Sequence, residues 1–299
     1  MLPAGATSPP YDASFSYAKS SYLNNEADPT PTITGTSGGT FRGDTGLIFV
    51  DSGSNSGSST GQIDLSASTV KSYSITYEVG GVSSNFALSI VQAFVNTYSM
   101  LFDGVDDEMV IPYNSSLQFG KTDSYSVSCW IYSSTYLIAS KKIFGTGTYA
   151  TAAYLGNGTY SGGLYSVFWR MGGVWPTSAG YFMSVDSGFT LSPSTWYNII
   201  ITYDGSELGT GLKMYINGAA PIVSTTSWGA NAQNSINSND FTISLATTTG
   251  WPGNIDEISV WRSELTSTHV GEVYNSGSPN NLDSLATTPA PTYWNRMGD

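Results

Sequence analysis

The 299-residue chain carries only 11% charged side chains against 40% hydrophobic ones, so its polar surface has to come from Ser, Thr, Asn and Gly. A net charge of −12 gives no drive to displace counterions from a phosphate backbone, which excludes nucleic acid as a partner. The single cysteine, Cys129, rules out an intramolecular disulfide. The single histidine, His269, leaves no zinc-ligand set, and no segment approaches the ~20 apolar residues of a membrane helix, so no membrane insertion is expected.

The opening residues Met1-Leu2-Pro3-Ala4-Gly5 lack the basic region and apolar core of a signal peptide, which predicts synthesis and assembly in a cytoplasm. Residues 1–10 are rich in Pro, Gly and Ser and are expected to be a loose arm. Residues 11–96 then show short strands separated by turn signals. Phe15 and Tyr17 alternate, and Thr32-Ile33-Thr34 precedes Gly35. Residues 46–50 (GLIFV) lead into a Gly/Ser loop over 52–61, followed by 62–65 (QIDL). Strict alternation over 73–79 (YSITYEV) predicts a half-buried strand, Gly80-Gly81 a turn and 86–91 (FALSIV) its partner. With no helical period anywhere in it, this stretch is expected to fold as an immunoglobulin-like β-sandwich.

Three motifs of this stretch resemble a bacterial and phage immunoglobulin-like repeat: DPTPTITG at 28–35, GQIDLSAS at 61–68 and YSITY at 73–77. The resemblance implies a spacer or display unit. Members of that repeat commonly carry a cysteine before the first motif, where this chain has Tyr22-Leu23, so the cross-link it serves is not implied here.

Residues 97–281 form the second expected module. Its runs are 99–107 (SMLFDGVDD), 109–112 (MVIP) with Ser115-Ser116-Leu117, 125–132 (YSVSCWIY), 196–205 (WYNIIITYDG), 212–218 (LKMYING) and 253–261 (GNIDEISVW), followed by a helix-like 267–274. In this order they resemble the laminin-G-like jelly roll of the concanavalin A type. The resemblance implies two stacked antiparallel sheets, and the whole chain is therefore expected to be all-β: an immunoglobulin-like β-sandwich followed by a concanavalin A-like (laminin G-like) jelly roll. Cys129 lies in an alternating apolar run and is expected to be a small core residue.

Residues 282–299 are a Pro/Thr/Ser linker ending in an apolar tail. Tyr293, Trp294 and Met297 in that tail suit either a strand completing the sandwich or an assembly contact docking on a neighbouring subunit.

Jelly rolls of this shape include glycoside hydrolases, whose retaining members need two carboxylates ~5 Å apart. Plain alternation along 254–259 puts Asp256 and Glu257 on opposite faces, and Asp186, Asp204 and Glu207 sit singly in turns, so no catalytic pair and no enzyme is expected. A structural Ca²⁺ is implied by resemblance to concanavalin A-type folds. Its ligands would be Asp103, Asp106 and Asp107 after the module's first strand, with Asp256 and Glu257 on its last; the alternative is that the aspartates only form turns. Trp169, Trp175, Tyr181 and Trp228 fall in a variable region rich in Gly and Asn and are the candidate ligand-binding aromatics, with packing as the competing role. Trp130 and Trp196, on strand motifs, are expected in the core.

Together these features predict a non-catalytic phage virion surface protein, such as a capsid decoration, head fibre or tail appendage. Its expected partners are other virion proteins, copies of itself in a homo-oligomer, and a cell-surface glycan. The alternative is a bacterial cell-surface adhesin or polysaccharide-binding fragment.

Overall fold

Tyr73, Ile75, Tyr77 and Val79 are all buried while the residues between them face outward, as the period-two pattern requires. They belong to the longest hairpin of the first of two units, Met1–Phe94 and Val95–Asp299. The structure, a computed structural model, describes residues 11–136, 141–146, 153–159, 165–172, 183–188, 190–224, 239–247 and 249–299.

The first unit contains β1 (Phe15–Ser16), β2 (Ser21–Leu23), β3 (Thr32–Ile33), β4 (Thr40–Gly43), β5 (Ser56–Ser58), β6 (Lys71–Val79) and β7 (Val82–Val91). Its main sheet runs β2-β7-β6-β4-β5, with β2 parallel to β7 and the rest antiparallel, and β1 pairs with β3 separately. Gly80 and Gly81, both at positive φ (57° and 83°), make the two-residue β6–β7 turn whose twist matches a hairpin. The strands expected at 46–50 and 62–65 reduce to one bridge, Phe49 with Ile63, among turns. Their side chains nevertheless enter the core, where Leu47, Phe49, Ile63 and Leu65 are fully buried.

The second unit contains β8 (Met100–Asp103), β9 (Glu108–Ile111), β10 (Tyr125–Ser133), β11 (Lys141–Thr146), β12 (Ala153–Thr159), β13 (Tyr165–Met171) and β14 (Met183–Asp186). It continues with β15 (Thr195–Tyr203), β16 (Leu212–Ile216), β17 (Ile222–Val223), β18 (Phe241–Ser244), β19 (Pro252–Trp261), α1 (Ser267–Tyr274) and β20 (Tyr293–Asn295). Among the described residues these strands make two antiparallel sheets. One runs β17-β16-β15-β10-β19, with β8 and β20 both on the far edge of β19; the other runs β14-β13-β12-β11-β18-β9.

Apolar side chains from both sheets meet in one core. Val127, Cys129 and Ile131 come from the first sheet, and Ile143, Trp169 and Ile243 from the second. Burial pushes the Cys129 thiol far up, so it stays a protonated, inert filler. A smaller cluster lies on the outer side of the first sheet, where Val270 and Val273 of α1 cover Ile200, Tyr215 and Trp261. Helix α1 starts at Thr266, whose hydroxyl accepts from the His269 N–H while His269 Nδ1 accepts from the Thr266 N–H, a reciprocal cap.

Candidate functional site

Strand register alone builds an aromatic row on the outer side of the first sheet. Tyr132 of β10 stands opposite Trp196 of β15 and Asn254 of β19, and Asn254 stands opposite Leu101 of β8. The next residue in, Ile131, points the other way into the sandwich core, as does Ile255, so the row faces outward. The Trp196 and Tyr132 rings lie 5.5 Å apart at 41°. One row further, Trp130 is opposite Asn198 and Asp256, and its ring is stacked at 6.0 Å on Tyr274 of α1. Of the two tryptophans expected in the core, Trp130 is buried, though on the outer side of the sheet under α1, and Trp196 is not, being 38% exposed.

These two rows open into a cavity of about 250 Å³ lined by Trp130, Trp196, Tyr98, Ser99, Asn96 and Asp256. Its upper wall comes from residues 96–99, just before β8. The Asn254 side-chain amide donates to the Ser99 hydroxyl at 2.9 Å, tying that wall to the sheet.

Asp256 and Glu257 do not obey the alternation expected of them. Between Trp130/Asp256 and Ser128/Ser259 the strand β19 spends one residue more than β10, and Glu257 sits at φ 52°. This is a β-bulge, and it resets the alternation so that Ile255 and Ile258 both enter the core. It also brings both acids to one spot: the Asn96 side-chain amide donates to Asp256 Oδ2 at 3.1 Å and to Glu257 Oε1 at 2.8 Å. The sequence-based placement of these acids on opposite faces is thus corrected.

Each carboxylate oxygen of the pair has a protein group beside it. Asp256 Oδ1 accepts the Glu257 N–H at 2.8 Å, the Trp294 indole N–H donates to Glu257 Oε2, and Arg296 lies 3.6 Å from Glu257 Oε1. Both are nearly buried, and desolvation is the main cause that raises the Asp256 carboxyl to about 6 and the Glu257 carboxyl to about 7.

The five acids expected around one cation separate into two groups. β8 and β19 are neighbours, as the expectation requires, but Asp103 pairs with Pro252, four residues from Asp256, or roughly 13 Å along the strand. Asp103, Asp106 and Asp107 remain together, with carboxylate oxygens within 4.8 Å of one another. Asp103 Oδ1 accepts the Val105 and Asp106 N–H groups, and Asp107 Oδ2 accepts the Asp103 N–H, so the aspartates also form the turn.

Of the candidate ligand aromatics, Trp169 is a core residue. It is fully buried on β13, and its indole N–H donates to the Tyr125 hydroxyl at 2.9 Å. Trp175, Tyr181 and Trp228 lie outside the described residues. The C-terminal tail docks on its own unit rather than standing free for a neighbour. Tyr293 and Trp294 pair with Val260 and Ser259, and Met297 is buried in the core. The signal missed for Trp196 was its place at a strand end, and Asn96 precedes every motif of the module.

A family model described as the concanavalin A-like lectin/glucanases superfamily matches residues 103–271. Among solved structures, the fold is similar to a heptameric SAP-like pentraxin from Limulus polyphemus, at 15% identity over 65% of this chain and 93% of that one, with a TM-score of 0.38. It is similar to domain 4 of AbnA, an arabinanase from Geobacillus stearothermophilus in complex with arabinotriose, at 18% identity, 62% and 83% coverage and a TM-score of 0.41. It is also similar to the CBM40 of a Ruminococcus gnavus sialidase bound to α2,3-sialyllactose, at 10% identity, 59% and 96% coverage and a TM-score of 0.41. No curated protein matches at a significant level. By the family match over its second unit, the chain belongs to the concanavalin A-like lectin/glucanases superfamily.

Proposed function

We propose that the protein is a non-catalytic surface protein of a phage particle whose second unit binds a carbohydrate in the cleft between Trp196 and Asp256. The observation that carries this reading is the juxtaposition in one cavity of the exposed Trp196 indole, the Trp130 and Tyr98 rings, and the side-chain amide and carboxylate of Asn96 and Asp256. Sugar rings offer apolar C–H faces and a fringe of hydroxyls, and such a wall meets both.

Asp256 and Glu257 do not act as a hydrolytic pair in this reading. One amide nitrogen already bridges them, and all four carboxylate oxygens have a protein group beside them, an arrangement that suits a structural pair better than two acids flanking a glycosidic bond. The first unit serves as an immunoglobulin-like spacer. A buried lone thiol and a lightly charged surface suit a protein assembled without disulfides into a particle with other virion proteins and with copies of itself, where repeated weak contacts gain avidity. Three carboxylates within reach of one ion suit a structural Ca²⁺ at Asp103, Asp106 and Asp107, an oxygen-only ligand set.

The test has two arms. An oligosaccharide array probed with wild-type protein and W196A is expected to give binding that the variant loses; silence with both proteins contradicts the sugar reading. Immunolabelling of purified phage particles is expected to decorate their surface, whereas label confined to a bacterial envelope contradicts the virion role and favours an adhesin.

A further inference from the structure

The cavity beside Trp196 is walled by aromatics but floored by a carboxylate whose charge the protein leaves poorly compensated. Its charged neighbours among the described residues are Glu257 on the same strand and Arg296 and Asp299 from the C-terminal segment, so three acids face one guanidinium. Arg296 lies 3.6 Å from Glu257 and 3.7 Å from Asp299, and its charge also favours ionised Asp256, though as the weakest of the influences on that carboxyl. The donors to Asp256 are a neutral amide, from Asn96, and a backbone N–H, from Glu257. A carboxylate accepts more than these two bonds, so Asp256 keeps acceptor capacity toward the cavity it lines.

Electron-rich ring faces and a desolvated carboxylate both favour a cation. Trp130, Trp196 and Tyr98 supply the rings, and Tyr98 is 64% exposed at the rim. Same-face neighbours along a strand are ~7 Å apart, so a sugar lying on the Trp196 row places a ring substituent over the Asp256 row. We infer that the cleft takes a glycan bearing a free amino group, with a sugar ring against Trp196 and its ammonium on Asp256. This rests on the carbohydrate reading above and narrows it to amino sugars. The ammonium would supply the counter-charge the site lacks. Burial holds the Asp256 carboxyl up at about 6, and a sugar amine itself loses its proton near neutral pH, so the ion pair would be strongest between the two titrations.

The test compares a glucosamine trisaccharide with its N-acetylated counterpart by calorimetry on the full chain at pH 6.5, for wild type, W196A and D256N. The amino trisaccharide is expected to bind at least tenfold more tightly. D256N is expected to weaken the amino trisaccharide much more than the N-acetylated one, so that the preference disappears, and W196A, which keeps the net charge, to lose both. A second measurement needs no variant: the preference of the wild type is expected to shrink from pH 6.5 to pH 5, as Asp256 is protonated, and from pH 6.5 to pH 9, as the amine is deprotonated. Equal affinity for the two sugars, or a preference that survives both D256N and low pH, overturns the inference and leaves the carbohydrate reading standing. Binding of neither trisaccharide, nor of any other glycan, removes both.

Discussion

Ile255 and Ile258 stand three residues apart on one strand and enter the same core, because Glu257 between them takes a positive φ of 52°. The bulge that satisfies the core also forces Asp256 and Glu257 together under the C-terminal tail. Both carboxyls have folded-state values above their ordinary ones, about 6 against 3.8 and about 7 against 4.5. Between pH 4 and 7 the folded state therefore binds more protons than the unfolded chain, and these two groups make stability fall as pH rises. We expect the melting temperature of the D256N/E257Q variant, minus that of wild type, to increase from pH 4 to pH 7.5. A flat difference would contradict the assignment.

The tail is a structural part of the second unit. Met297 is buried in the core, so M297A is expected to cost about 2–5 kcal/mol in denaturant unfolding. Removing residues 293–299 is expected to lower the melting temperature further and to promote association, since it bares the edge of β19 that β20 covers. A truncated chain as stable and monodisperse as the full one would restore the docking-tail alternative.

Two tryptophans separate packing from binding. W169A removes a fully buried side chain and is expected to destabilise by about 3–5 kcal/mol. W196A removes a ring that is 38% exposed and is expected to leave unfolding nearly unchanged while weakening glycan binding by roughly tenfold or more, the scale of an aromatic anchor. Chemical denaturation and calorimetry on both variants check this.

Bound calcium would stabilise the second unit. At about 100 times its dissociation constant the gain is about 2.7 kcal/mol, and EDTA should remove it. D103N, which strips a carboxylate from the acidic turn, should abolish the difference. An identical transition with calcium and with EDTA would leave Asp103, Asp106 and Asp107 as turn-formers only.

Much of the fold was legible where side chains alternate without interruption. Residues 73–79 and 125–132 became β6 and β10 with the faces their pattern prescribes. Trp169 was legible too: Val167, Trp169 and Met171 are two apart, the strand signal that places them inside, yet the surrounding glycines suggested a loop. The bulge had no such mark, because the residue at positive φ is glutamate rather than glycine. The cleft was hidden for a further reason. Its row depends on register between β15, β10, β19 and β8, which no single strand encodes, and Asn96 bonds acids 160 and 161 positions away.

Carbohydrate binding at Trp196 can be followed by titrating oligosaccharide into protein carrying ¹⁵N-labelled tryptophan and recording the indole resonances. Saturable shifts are expected at Trp196 and Trp130, with no shift at Trp169 and no response in W196A. Saturable binding that leaves Trp196 and Trp130 unmoved would contradict binding at Trp196.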